Sequence, residues 1–297
     1  MLRIILILGS VAGLLSAPVG AQAKLKVVAS TSDLAYFARQ VGGDLVDVET
    51  IAPPAADVHY VEVRPSYMLK VSRADLALKV GLELDTWMDR IIDGSRNSNL
   101  SIVDCSRYIH PLDVPNFKAD ARHGDLHRFG NPHYWLAPDN VAPITLAILE
   151  GLAGADPGNA DRYRRNREAY LDLLEKALPG LKERATPLAG LKYISYHSSW
   201  AYFNAFLGME VADQIEPYPG VAPSPSHVAE LTLLIKKRSI TLIAVEPYFD
   251  RRVPDKIASE TGARVVTLYP SIGGRNKGES YVDFLRGNID AMIGVRP

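Results

Sequence analysis

The sequence predicts an α/β protein of two similar lobes, each a parallel sheet flanked by helices, joined by one long rigid helix. Three features predict it. Short apolar runs alternate with helix-like segments through the first half, a charge-rich helical stretch follows from Asp156, and the second half then replays the first.

The first half opens with LKVVAS (Leu25 to Ser30), a β-branched run. TSDLAYFARQVGG follows, with Ser32 or Asp33 as the expected cap, apolar residues at helical spacing and Gly42-Gly43 as the stop. The same order recurs as strand VDVETI, helix RPSYMLKVS, strand ADLALKV, helix LDTWMDRIID and strand LSIVDC. Such alternation implies parallel pairing with helices around the sheet. From Asp156 to about Glu183, Tyr163, Tyr170, Leu174 and Leu178 share one face of a single charged helix, disturbed near Pro179. Beyond it, YISYHSSWAYFNAFLGM (Tyr193 to Met209) matches VVASTSDLAYFARQVGG (Val27 to Gly43), sharing AYF and a glycine at the same offset. A second echo pairs RPSYMLKVSRADLALKVG with SPSHVAELTLLIKKRSITLIAVEP. The expected division is a signal peptide over residues 1–23, an N-terminal lobe over 24–155, a linking helix over 156–187 and a C-terminal lobe over 188–297.

Arg3 precedes an apolar run from Ile4 to Leu15, and Ala21-Gln22-Ala23 is an A-x-A cleavage pattern. A cleavable signal and an exported chain starting at Lys24 are expected. The run is shorter than the roughly 18 residues of a membrane span. Cys105, the single cysteine, lies well inside the mature chain, which leaves neither an intramolecular disulfide nor a lipid-bearing terminal cysteine. A periplasmic protein without a lipid anchor is the expectation. A formal net charge of −1 and the absence of a basic run argue against a nucleic-acid partner.

In parallel α/β sheets, ligands collect beyond the carboxyl ends of the strands. His59 lies in the loop after the second strand, and His133 lies in GNPHYWLAP, beyond the fourth. His197 directly follows strand KYIS, where Thr31 stands in the first repeat, and Glu246 closes TLIAV, where the first lobe has Gly81. Three imidazoles from separate loops suit a borderline-soft ion such as zinc, with one further position in a tetrahedron. Spacing alone leaves their convergence open, because no HExxH or CxxC ties them together. Trp135, Trp200, Tyr202 and Phe203 are expected to pack beneath the site. His110 and His227 are read as structural, with Ser226 capping the helix that carries His227.

From Lys24 to its end the chain resembles the zinc and manganese solute-binding proteins of bacterial ABC importers, the group whose lobes are joined by a long rigid helix. DVHYVEVRPSYM supplies Asp57, His59, Pro65 and Ser66 where that family has D-P-H before a P-S-D helix start. NPHYWLAP matches D-P-H-x-W-L-x-P with Asn131 in first place, and SYHSSWAYF supplies His197 where the family has histidine or glutamate before an aromatic-rich helix. The resemblance implies His59, His133 and His197 as metal ligands in the cleft. Histidine at 197 is similar to the zinc members, since manganese favours more carboxylate oxygen.

The resemblance further implies Zn(II) as cargo, an inner-membrane ABC permease as partner with a periplasmic zinc chaperone as a second, a monomer, and no enzymatic activity. The chain departs from the family at the fourth ligand. Many members carry an aspartate after the last strand, whereas TLYPSIGGRNKGESY places Ser271 or Ile272 there and has no carboxylate before Glu279. Either Glu246 or a water then completes the site. His123 and His127, in ADARHGDLHRFG, stand where zinc-binding members often have a histidine-rich loop, and form a candidate auxiliary metal loop. Three other readings stand beside this one: a manganese-selective binding protein, a secreted zinc hydrolase or hydratase with Glu246 as base, and a surface adhesin.

Overall fold

The computed structural model describes residues 23–117 and 127–295; the expected signal segment up to residue 22, and His123, lie outside the described residues. The first lobe runs β1 (Leu25–Ala29), α1 (Ser32–Gly42), β2 (Val46–Thr50), α2 (Pro65–Val71), β3 (Leu76–Lys79), α3 (Trp87–Ser95), β4 (Ser101–Asp104) and α4 (Val141–Ala155). After α5 (Ala160–Ala185) the second lobe runs β5 (Lys192–Ser195), α6 (Ala201–Leu207), β6 (Glu210–Gln214), α7 (Pro225–Arg238), β7 (Leu242–Val245), α8 (Arg252–Thr261), β8 (Arg264–Thr267) and α9 (Tyr281–Gly294).

The two sheets have the same plan. Their strand orders are β2-β1-β3-β4 and β6-β5-β7-β8, parallel throughout. Central strands covered on both faces must be apolar along their length, as Leu76, Ala77 and Leu78 of β3 and all of β7 are. Edge strand β2 instead alternates, with Val46 buried and Asp47 exposed. In each sheet the chain order reverses direction beside the central pair, β1 with β3 and β5 with β7. That is where parallel sheets open a crevice at their carboxyl ends.

The registers refine the repeat. Val28 pairs with Ala77 in the first sheet, and Ile194, its counterpart, pairs with Ile243 in the second. Counting on from those pairs places Glu246 level with Val80, one residue before the Gly81 position expected from the sequence.

Two helix caps also differ from expectation. Thr31 caps α1, its hydroxyl accepting from Leu34 N, which leaves Ser32 and Asp33 available to the other lobe. Ser224, not Ser226, caps α7 by accepting from His227 N, because Pro225 occupies the first helical position.

Helix α5 does not end at Pro179 but continues through it to Ala185. It is fastened at both ends. Asn166 donates to Val41 O, Arg167 donates to Ala142 O, and Arg184 pairs with Asp290 of α9. Phe37 of the first lobe lies 6.4 Å from the ring of Tyr170 on α5 and 5.3 Å from that of Tyr281 on α9. All three belong to one hydrophobic core that spans both lobes and the linking helix. Packing of this density resists large hinge motion. Among the described residues no helix is long and apolar enough to cross a membrane.

Candidate metal centre

Three loops bring His59, His133 and His197 together. One ring nitrogen from each lies within 4.8 Å of the others, and no other group of three or more histidine, cysteine or carboxylate ligands gathers in this way among the described residues. Ring centroids are 5.2 Å apart for His59 and His133, 4.8 Å for His59 and His197, and 5.7 Å for His133 and His197. The first lobe supplies two of the three imidazoles and the second supplies one.

Each imidazole is oriented through Nδ1 by a side-chain oxygen. Asp57 Oδ1 accepts from His59 Nδ1 at 2.7 Å and from the His59 backbone N–H at 2.9 Å. Asn131 Oδ1 holds His133 in the same way, at 3.0 Å from each nitrogen. These are Asx turns written into D-V-H and N-P-H, so ligand and orienting group share one loop. His197 Nδ1 reaches Glu216 Oε2 at 2.8 Å. A proton on Nδ1, held by an oxygen, puts the imidazole lone pair on Nε2. The Nε2 atoms of His133 and His197 are buried and make no hydrogen bond.

Burial, reinforced by the surrounding imidazoles, pushes the basicity of His133 well below that of an ordinary histidine. A neutral ring is the coordinating form. Burial opposes ionisation of Asp57, but its hydrogen bonds and charge interaction with His59 win and hold its carboxyl below the usual range. Anionic Asp57, with His133 held neutral, makes a pocket that favours a cation.

Glu246 stands at the carboxyl end of β7, buried, outside the converging group. Its Oε1 accepts from Ser199 Oγ at 2.8 Å and from Trp200 Nε1 at 2.9 Å. Arg251 and Arg252 pair elsewhere, with Asp255 and Asp250. Burial pushes the Glu246 carboxyl up to about 8 against those two hydrogen bonds. The stretch where the family was expected to carry aspartate docks onto the first lobe instead: Ser32 Oγ donates to Ile272 O, and Ile272 N donates to Asp33 Oδ1. Glu279 accepts from Gly273 N.

His127 is drawn into the centre. Its ring stacks on His59 at a centroid distance of 5.4 Å, and its Nε2 is buried without a hydrogen bond. Burial, then the neighbouring imidazoles, pushes it down to about 3. It lines two cavities beside the cluster, of ≈ 240 Å³ with Glu83 and Thr86, and of ≈ 190 Å³ with Asp113 and Tyr218.

The aromatics expected beneath the site are buried, and they also position it. Trp135 Nε1 donates to Pro270 O, and Tyr202 OH donates to Asn131 O, each joining the two lobes. Glu216 was missed by sequence reading. Its signal lay in extending the repeat one loop further: Ala52 N bonds Ser30 O in the first lobe, as Glu216 N bonds Tyr196 O in the second, so Glu216 occupies the place of Ala52. His227 is structural, its Nε2 bonded to Gln214 O.

Two parallel lobes on one long helix, with three oriented imidazoles closing into the cleft between them, define a metal-binding solute-binding protein. The sequence profile described as zinc-uptake complex component A, periplasmic, matches residues 27–294, and the chain belongs to that family of ABC-importer binding proteins. The iron-binding protein YfeA of Yersinia pestis is 24% identical over 278 residues, covering 91% of this chain and 85% of its own. The manganese ABC transporter substrate-binding lipoprotein PsaA of Streptococcus pneumoniae is 25% identical over 278 residues, covering 91% and 88%. A crystal structure of ZnuA superposes with a TM-score of 0.80 at 27% identity, over 92% of this chain and all of that one. The names span zinc, iron and manganese, so family membership defines a metal carrier and the ligand set must speak for the ion.

Proposed function

We propose that the chain is a periplasmic high-affinity zinc-binding protein that captures Zn(II) between lobes 24–155 and 188–297 and delivers it to an ABC-type permease. The observation that carries this reading is the ligand set. All three converging groups are imidazoles; Asp57 and Glu216 are engaged on Nδ1 atoms, and Glu246 lies outside the group with Oε1 held by Ser199 and Trp200 and Oε2 buried without a hydrogen bond. Nitrogen donors favour zinc over manganese, which prefers oxygen. His59, His133 and His197 bind through Nε2, and a water takes the fourth tetrahedral position. His127, beside His59 and open to two cavities, serves as the auxiliary ligand that meets the ion on its way in.

The test is a competitive titration of metal-free mature protein with zinc and with manganese against a chromophoric chelator. One tight zinc per chain and much weaker manganese is the expected result. Manganese bound as tightly as zinc overturns the zinc assignment, and absence of any tight ion overturns the three-histidine site.

A further inference from the structure

The three ligands are not held alike. His59 and His133 take their orienting oxygen from the residue two places before them, in their own loop. The partner of His197 comes from a different loop, 19 residues further on. That partner has a second contact. Glu216 Oε2, the oxygen that accepts from His197 Nδ1, lies 3.4 Å from Gly220 N, whose N–H it also accepts.

Residues 216–220 read E-P-Y-P-G, with two prolines to stiffen the loop and Gly220 at φ 76°, a conformation that glycine adopts without strain. Buried Pro219, with Gly220, faces His59 and His197 across a gap of ≈ 10 Å³, room for about one water. Pro217 and Tyr218 form part of the wall of the ≈ 190 Å³ cavity that reaches His127. The loop thus covers the centre from the second lobe, and one carboxylate oxygen ties its far end to a ligand.

From this we infer that Glu216 is a positioning residue that couples occupancy at His197 to closure of the 216–220 loop; the inference rests on the three-histidine reading above. A cation on Nε2 draws electron density from the ring and makes Nδ1–H a stronger donor to Glu216. The stronger bond holds the carboxylate in place, and with it the acceptor of Gly220 N–H. Linkage is reciprocal: opening the loop pulls Glu216 from the ring, and His197 loses its orientation. Loop opening is then the local step that releases the ion while the shared core keeps the lobes in place.

The experiment uses the mature chain, with hydrogen exchange read at the Gly220 amide with and without zinc, and zinc dissociation followed by a chelator chase. In the wild type, zinc slows exchange at Gly220. In Glu216→Ala that zinc-dependent slowing disappears and dissociation quickens by about 10- to 100-fold. Glu216→Gln, which keeps a carbonyl acceptor, falls between the two and carries the test if the alanine variant does not fold, as judged by metal-free thermal unfolding. Zinc-dependent protection of Gly220 surviving in the folded variant, or an unchanged dissociation rate, overturns the coupling while leaving the metal site standing. A wild-type chain that binds no ion tightly overturns the site and the coupling together. A chain that prefers manganese is put through the same two measurements with that ion.

Discussion

Thr31 and His197 adopt the same backbone conformation at equivalent points of the two lobes, φ −122°, ψ 161° and φ −117°, ψ 168°. Thr31 uses its side chain to cap α1, whereas His197 makes no cap bond and directs its ring to Glu216 and the cleft. A repeated strand end therefore caps a helix in one lobe and turns an imidazole into the histidine cluster in the other. The first lobe brings its two histidines to the cluster from its outer loops, after β2 and beyond β4.

Asn131 stands where the family has aspartate, yet its Oδ1 orients His133 as a carboxylate would, and its Nδ2 donates to Ser198 O in the second lobe at 2.7 Å. Asn131→Ala removes both. Zinc affinity is expected to fall by about 10- to 100-fold in chelator competition.

Glu246→Gln tests the fourth position. With water on the ion, the variant keeps its zinc affinity and, because burial raises the Glu246 carboxyl from 4.5 to about 8, becomes progressively more stable than wild type as pH rises from 4.5 to 8 and levels off above. A fall of about tenfold or more, worth about 1.4 kcal/mol, would put the carboxylate on the metal.

Asp33 gives a pH prediction. Burial outweighs its hydrogen bonds and pushes its carboxyl up from 3.8 to about 7, with Glu279 adding to the rise. A raised carboxyl contributes stability that is fully present below pH 4 and is lost as pH rises through 7. Asp33→Asn, which keeps an acceptor for Ile272 N, should become progressively more stable than wild type from pH 4 to 7, by on the order of 4 kcal/mol, and level off above. Thermal unfolding of metal-free protein across that range measures it; a pH-independent difference would show that Asp33 ionises normally.

Zinc should stabilise the fold, because ligands from both lobes meet only in the native state. At a free ion concentration about 100 times Kd the gain is about 2.7 kcal/mol, visible as a rise in Tm that a chelator reverses.

His127→Ala should leave the tight site intact at equilibrium while slowing zinc capture and abolishing any weaker second binding event. Stopped-flow mixing and titration read the two effects. Loss of the tight site itself would make His127 a full ligand.

Much of this protein is legible in its sequence because it depends on local chemistry. Apolar strand runs, helix periodicity and the replay of AYF give two parallel lobes and a linking helix, and N-P-H and D-V-H single out His133 and His59 through the family resemblance. Finer local choices were less clear: Thr31, Ser32 and Asp33 compete to cap α1 and two serines to cap α7, and a proline in α5 removes one hydrogen bond without ending a helix packed on both lobes.

What the sequence determined by itself was the architecture and the three imidazoles. Tertiary structure decided the rest: that the three converge within 4.8 Å, that Glu246 turns to Ser199 and Trp200, that Ile272 docks on Asp33, and that Glu216 stands behind His197. The physical reason is distance along the chain. Groups separated by 19 to 239 residues meet only because the strand ends and the long helix carry their loops to one cleft, and no local propensity encodes that meeting.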